Sequence, residues 1–397
     1  MTVKIIPVSL GEEVKLHLLS FIFGIYLIIV RMFKWAWNPK KFFGTMKRDK
    51  PPPCLIDDSL GKHFYVKVKG TKFHYVEAGR KDKPLVLLLH GFPDCWLSWR
   101  GQIPVLAEYY RVVALDLKGF GDSDKPTHKK CYKIEVLMEE LHQFILTFGV
   151  NQCSIIGHDL GGLLGWYMTA FHNNIIHKFV AISSPHPNYY WNSLKDNATF
   201  GDMWLHFSRL PFLPEMDALK EDLSIIDDIF THININQASN EMNYVEAYKY
   251  AFSRTEDWTG PINYYRNLPF MRLYSIEPVS NQTLLVVGNA DSSVSLESVI
   301  QSSDLVARFN IKVITGAQHF PHQEKPDMVN QVILNFLIGK PPSVEKTPSK
   351  GIVSTWLGSL SSTVKYGNQV FDAVHKRTNN VISTLPTKVL YLDHTTT

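Results

Sequence analysis

From His63 onward the hydrophobic period of the chain switches repeatedly, and each switch marks an element. Phe64, Val66 and Val68, then Phe73, Tyr75 and Val76, alternate with polar neighbours and predict an opening hairpin. Residues 85–89 (Leu-Val-Leu-Leu-Leu) and 112–115 are unbroken apolar runs, as expected of strands covered on both faces. Helical spacing follows at 135–148, a strand at 153–156, a helix at 163–168 and another strand at 179–182. After a gap the series resumes with strands at 284–287 and 311–314 and closes with a helix from Pro326 to Ile338. Strands alternating with helices predict an α/β fold with a mostly parallel sheet flanked by helices. Between them, 185–279 reads as aromatic-rich helices with proline breaks, an inserted helical lid. The core is therefore 61–184 together with 280–339, and no internal repeat is present.

The two ends depart from this pattern. Residues 16–30 are apolar apart from His17, Ser20 and Tyr26, with Phe33, Trp35 and Trp37 just beyond. Fifteen helical residues reach about 22 Å, short of a ~30 Å bilayer core. Snorkelling of Lys15 and Arg31 and an aromatic belt at Trp35 and Trp37 close that gap, so 1–37 reads as a retained, spanning membrane anchor. A helix lying in the membrane interface is the alternative. Arg31, Lys34, Lys40, Lys41, Lys47, Arg48 and Lys50 follow the segment, against Lys4 and Lys15 before it, which places the large domain in the cytosol. The sequons at Asn197 and Asn281 point weakly the other way. Residues 38–60, basic and carrying Pro51-Pro52-Pro53, read as a linker. In the tail, 340–397, Val353, Trp356, Leu357, Leu360 and Val364 share a helical face, but a loosely ordered tail is the preferred reading.

Composition narrows the function. With 397 residues, 45% of them hydrophobic and 20% charged, the chain buries a large core. A net charge of +4, with the basic residues gathered early, and no nucleic-acid-binding motif argue against a nucleic-acid partner. Cys54, Cys95, Cys131 and Cys153 have no CxxC spacing and read as reduced thiols, so neither a metal site nor a disulfide framework is expected.

The chemistry sits in Gly157-His158-Asp159-Leu160-Gly161-Gly162. A strand before it and a helix after it make this a G-x-Nu-x-G elbow, with aspartate where a hydrolase usually carries serine. A carboxylate is a poor acyl acceptor but displaces a leaving group from saturated carbon, giving an alkyl ester of the enzyme. Strained epoxides and alkyl halides fit that chemistry. His319, after the last strand, is the candidate base that activates water against the ester, and Asp291, after the preceding strand, orients its ring. The order nucleophile, acid, histidine is that of α/β-hydrolases. The backbone N–H groups of Phe92 and Leu160 are the expected oxyanion hole. His90 and His158 read as holding turns, and Asp116 and Asp122 as tying down loops.

At this point the chain resembles the epoxide hydrolases of the α/β-hydrolase superfamily, in their membrane-anchored branch with a single hydrolase domain. The resemblance is carried by His90-Gly91-Phe92-Pro93, residues 99–104 (Trp-Arg-Gly-Gln-Ile-Pro), 116–123, 157–162, 316–320 and Lys325-Pro326. It implies hydrolysis of a small apolar epoxide to a vicinal diol, without a cofactor, at a membrane such as the endoplasmic reticulum. Family members carry two lid tyrosines that protonate the opening epoxide oxygen. Residues 261–267 (Pro-Ile-Asn-Tyr-Tyr-Arg-Asn) match the second motif and give Tyr265 that role. The first motif falls on Met203 or Trp204, neither of which donates a phenolic proton; Tyr189 or Tyr190 is the substitute within reach. The missing tyrosine favours, as the alternative, a catalytically weak or silent scaffold that binds lipid or a protein partner. A dehalogenase is more remote, because Leu160 stands where many dehalogenases carry a halide-binding tryptophan.

Overall fold

The computed structural model describes residues 3–42, 44–193, 207–235, 244–275 and 277–339. Its centre is an eight-stranded sheet. The strands are β2 (Lys62–Val68), β3 (Thr71–Ala78), β4 (Leu85–Leu89), β5 (Arg111–Leu115), β6 (Cys153–His158), β7 (Ile176–Ile182), β9 (Val279–Gly288) and β10 (Val306–Ile314). Their spatial order is β10-β9-β7-β6-β4-β5-β3-β2. β2 and β3 form the expected antiparallel hairpin, and β3 runs antiparallel to β5. Every other neighbour is parallel. β4 is buried along its whole length and β5 from Val112 onward, which is why they read as unbroken apolar runs.

Parallel pairing sets all the carboxyl ends on one edge of the sheet, where open α/β folds bind ligands. Gly157 and His158 at the end of β6 lie opposite Ala181 and Ile182 of β7, and Gly288 at the end of β9 lies opposite Ile314 of β10. Three loops far apart in sequence thus open at the same edge. Helix Asp159–Phe171 leaves β6 directly, and Pro326–Ile338 ends at Gly339, whose left-handed φ of 80° supplies the stop.

Above that edge lie helices Pro187–Ser193, Leu213–Ala218, Tyr244–Ala251 and Glu256–Tyr265, and the segment Lys220–Ile235, kinked at its start. The lid region is not wholly helical. Met271–Ser275 forms strand β8 and pairs antiparallel with β1 (Val3–Pro7), from Val3 opposite Ser275 to Pro7 opposite Met271. A pairing across more than 260 residues leaves no local signal, so the five residues of β1 fall within the expected anchor.

The N-terminal apolar segment is one helix, Leu10–Trp37, 28 residues long and capped at its start by Ser9. Its mean hydropathy is 2.1 over its most apolar window, so it is long and apolar enough to cross a membrane. Residues 38–60, read as a linker, are fastened at several points. Thr45 donates to the carbonyl of Leu219, Arg48 donates to both carboxylate oxygens of Asp222, and Cys54 is buried. The four cysteines are unpaired. Met203, Trp204, the Asn197 sequon and the tail at 340–397 lie outside the described residues.

Candidate active site

Asp159 begins its helix in a left-handed conformation, φ 47°, which non-glycine residues adopt only when the surroundings enforce it. The enforcement comes from close backbone contacts. A Cβ on Gly161 would lie 2.1 Å from the carbonyl oxygen of Leu89, so β4 and the elbow touch where only glycine fits. Ser184, at the end of β7, donates to the carbonyl of Asp159 at 2.8 Å. The carboxylate that results is buried.

One of its oxygens, Oδ2, accepts the backbone N–H of Phe92 at 3.1 Å. The loop supplying that N–H is held by His90, which donates to the carbonyl of Gly91 and accepts the N–H of Leu117 at 3.1 Å. Phe92 precedes a cis proline. Leu160, the other expected oxyanion donor, is fully buried, but among the described residues its N–H makes no bond to the resting carboxylate. The other oxygen, Oδ1, accepts the hydroxyl of Tyr190 and lies 3.9 Å from Nε2 of His319.

His319 donates from Nδ1 to Asp291, at 3.0 Å to Oδ2 and 3.3 Å to Oδ1. Its loop is pinned from both sides. His158 donates from Nε2 to the carbonyl of His319 at 2.9 Å, and Glu324 accepts the N–H groups of Gln318 at 2.6 Å and Phe320 at 2.9 Å. Burial opposes the charged imidazole, but the charge and hydrogen bond of Asp291 and the charge of Asp159 prevail and raise its pKa to about 9. The resting site is therefore an imidazolium between two carboxylates. Burial, reinforced by Asp159, pushes the phenols of Tyr190 and Tyr265 well above their ordinary range, so both are proton donors at neutral pH. A hydrogen bond with Tyr190 works in the opposite direction on Tyr265. Tyr265 also packs edge-on against Trp191 and tilted against Phe92, with ring centroids 6.0 Å and 5.4 Å away.

The structure thus gathers Asp159, His319, Asp291, Tyr265 and Phe92 at one edge, with Leu160 alongside. It adds residues the sequence reading did not assign, Ser184 and Glu324, and it singles out Tyr190 from the pair Tyr189 and Tyr190. No motif marks Ser184 or Glu324. Tyr190 was legible only as a tyrosine near the start of the lid.

A family model described as alpha/beta hydrolase fold matches residues 84–326. Epoxide hydrolase 4 of Homo sapiens is 34% identical over 321 residues, which span 78% of this chain and 89% of that protein. This chain belongs to the epoxide hydrolase family. Epoxide hydrolase 3 of Xenopus tropicalis is 33% identical over 315 residues, 76% of this chain and 83% of its own. Among solved structures, the Bacillus megaterium epoxide hydrolase in complex with an inhibitor superposes with a TM-score of 0.63. It is 26% identical, over 69% of this chain and 100% of that one. Within this epoxide hydrolase fold one further group draws the eye, the ligand atoms of Asp94, His158 and His322, which lie within 4.8 Å of one another. Their bonding is that of a core knot. Asp94 accepts from Cys95 N at 2.8 Å on one oxygen and from Ser98 and Gln323 on the other, and Ser98 also meets His322 at 2.8 Å. Both carboxylate oxygens are thus engaged, and the rings of His158 and His322 pack with centroids 4.5 Å apart.

Proposed function

We propose that this protein hydrolyses apolar epoxides to vicinal diols in two covalent steps. The observation that carries the reading is an aspartate, not a serine, on the elbow, backed by a histidine already paired to a second carboxylate. Oδ1 of Asp159 attacks an epoxide carbon, the ring C–O bond breaks, and a phenol of Tyr265 or Tyr190 protonates the leaving oxygen. A hydroxyalkyl ester of Asp159 results. Forming it removes the charge that supports the His319 imidazolium, so the ring's affinity for its proton falls as a base is needed. The released proton restores the tyrosine. His319 then takes a proton from water, whose oxygen attacks the ester carbonyl carbon of Asp159. The oxyanion forms between the N–H groups of Phe92 and Leu160. Its collapse breaks the ester C–O bond, and the departing alkoxide takes the proton of the hydroxyl just added. This frees the diol and the carboxylate and leaves His319 as the imidazolium it was at rest. Asp291 holds the ring throughout.

Two donors matter because an alkoxide is a poor leaving group. Tyr190, bonded to Asp159 and to Tyr265, stands in for the lid tyrosine absent at Met203 and Trp204. That substitution favours an active enzyme over a silent scaffold. On the same reading, 61–184 and 280–339 form the catalytic core and 185–279 its lid. Membrane attachment through the N-terminal helix suits an apolar substrate, and the cytosolic face of the endoplasmic reticulum is the proposed site. The Asn281 sequon supports that side, since its amide nitrogen already donates to the carbonyls of Asn173 and Ile176.

The test is a diol assay by mass spectrometry on the full chain, with fatty-acid and aryl epoxides and with Asp159→Ala and His319→Ala in parallel. Diol from the wild type alone supports the two-step route. No diol from folded wild type favours the scaffold reading.

A further inference from the structure

The helix Leu10–Trp37 is apolar on its outward face as well as on the face it buries. Positions 16, 20, 23, 24, 27, 30 and 31 are the ones withdrawn from solvent, a single stripe at helical spacing. This stripe joins the polar or small Ser20, Gly24 and Arg31 to the apolar Leu16, Phe23, Leu27 and Val30. It is seated on the lid. Gly24 faces Leu210, Arg31 pairs with Asp217 and covers the ring of Phe207, and His17 stacks on Phe270 at 5.4 Å. The positions pointing away are Leu18, Phe21, Ile22, Ile25, Tyr26, Ile29, Met32 and Phe33, all exposed. A helix facing water carries polar residues on its outward face.

The two flanks of this helix decide its orientation. Before it, β1 pairs with β8 of the lid, and Val8 N–H donates to the carbonyl of Phe270 at 2.8 Å. After it, Thr45 bonds Leu219 at 2.7 Å, and Arg48 bonds Asp222 and Glu246. A helix that crosses a bilayer delivers its ends to opposite sides. Here both ends are hydrogen-bonded to one lid, so they lie on the same side.

We propose that this helix lies in the plane of the membrane, buried in one phospholipid leaflet along its outward face, and seats the lid against the lipid. The inference rests on the membrane attachment proposed above and replaces the single crossing expected from composition. At ~1.5 Å per residue the helix provides a contact about 42 Å long. Lys34, Lys40, Lys47 and Lys50 are exposed toward its end, where anionic headgroups attract them. Arg31 and Arg48, counted at first as topogenic charge, are paired with the lid instead. Trp35 and Trp37, both exposed, suit the interfacial layer. Phe212 and Met216, also exposed, lie in the lid segment between Leu210 and Asp217 that holds the helix, and they extend the apolar surface.

The experiment uses the full chain with an epitope at each end, synthesised in the presence of sealed microsomes and treated with protease. Both epitopes should be cleaved without detergent while the protein stays with the vesicles through a carbonate wash. An N-terminal epitope protected until detergent is added overturns the in-plane arrangement and restores a crossing. Failure to sediment, with a doubled mass in gel filtration, assigns the apolar face to a second copy of the chain; failure as a monomer removes membrane attachment itself. A paired variant, Ile5→Cys with Leu273→Cys, gives a second reading, because these residues face each other between β1 and β8. The cross-link should form in vesicle-bound protein, and its absence there with formation in detergent would overturn the proposal. Diol formation is not part of either readout, so failure of the epoxide reading leaves this result standing.

Discussion

The hydroxyl of Tyr190 donates to Oδ1 of Asp159, the carboxylate oxygen left free by the Phe92 N–H. The phenol therefore stands where an epoxide must arrive. On the proposed mechanism, substrate binding would exchange this hydrogen bond for one to the epoxide oxygen, so that the same group would pass from covering the nucleophile to donating in the transition state. Tyr190→Phe is expected to slow single-turnover alkylation by about 10²-fold, the usual scale for one lost donor. Tyr265→Phe should do the same, and the double variant should lose more than either. An unchanged alkylation rate in Tyr190→Phe assigns that residue to packing.

Separating the two half-reactions gives a mass readout. His319→Gln removes the base but leaves the nucleophile, so one equivalent of epoxide should remain on the protein as an adduct at Asp159, seen in intact-mass and peptide spectra. Asp159→Asn should show no adduct. An adduct elsewhere, or none in His319→Gln, contradicts the ester route.

Titration of His319 reports on both carboxylates. With its pKa raised to about 9, the imidazolium persists through neutral pH in the resting enzyme. Asp159→Asn mimics the charge lost on alkylation and should move the NMR midpoint of His319 down, as should Asp291→Asn. The stability consequence has a definite sign. A folded-state pKa above the unfolded value of ~6.5 means the contribution is complete below that pH and is lost as pH rises through about 9. Thermal melts should fall across this window more steeply in wild type than in His319→Gln.

The elbow depends on an absent side chain. Gly161→Ala would set a methyl 2.1 Å from the Leu89 carbonyl oxygen, backbone against backbone, with nothing flexible to yield. The expected cost is about 3 kcal/mol, the upper part of the usual overpacking range, with alkylation lost. Chemical denaturation checks the first and adduct formation the second. Wild-type stability in this variant would show that the β4 contact is softer than described.

Much of this architecture was legible because burial imposes a period. β4 was bounded correctly from five consecutive apolar residues, and Pro326–Ile338 from proline at one end and glycine at the other. Asp159, Asp291 and His319 were legible as loop residues in a fixed order, since parallel strands bring successive loops to one edge. What escaped was non-local. The β1–β8 pair joins residues more than 260 positions apart in the chain, and neither partner alternates long enough to announce itself. Tyr190 escaped assignment for a related reason: a motif gives a register along the chain, whereas a hydroxyl can reach the same oxygen from another helix. Glu324 and Ser184 support the site through backbone N–H and carbonyl groups, which any neighbouring sequence provides.

β1 and helix Leu10–Trp37 are fastened to the helices above the sheet edge, so on the proposed in-plane seating a surface that meets lipid would be one body with the cover of the active site. Lipid binding and lid position are then linked equilibria. If a bilayer binds the open lid tenfold better than the closed one, it shifts the lid toward opening by the same factor, about 1.4 kcal/mol, and an open lid binds the bilayer tenfold better in return. On that seating lipid composition would be an effector of this enzyme as well as its address, and rates measured in detergent and on vesicles should then differ.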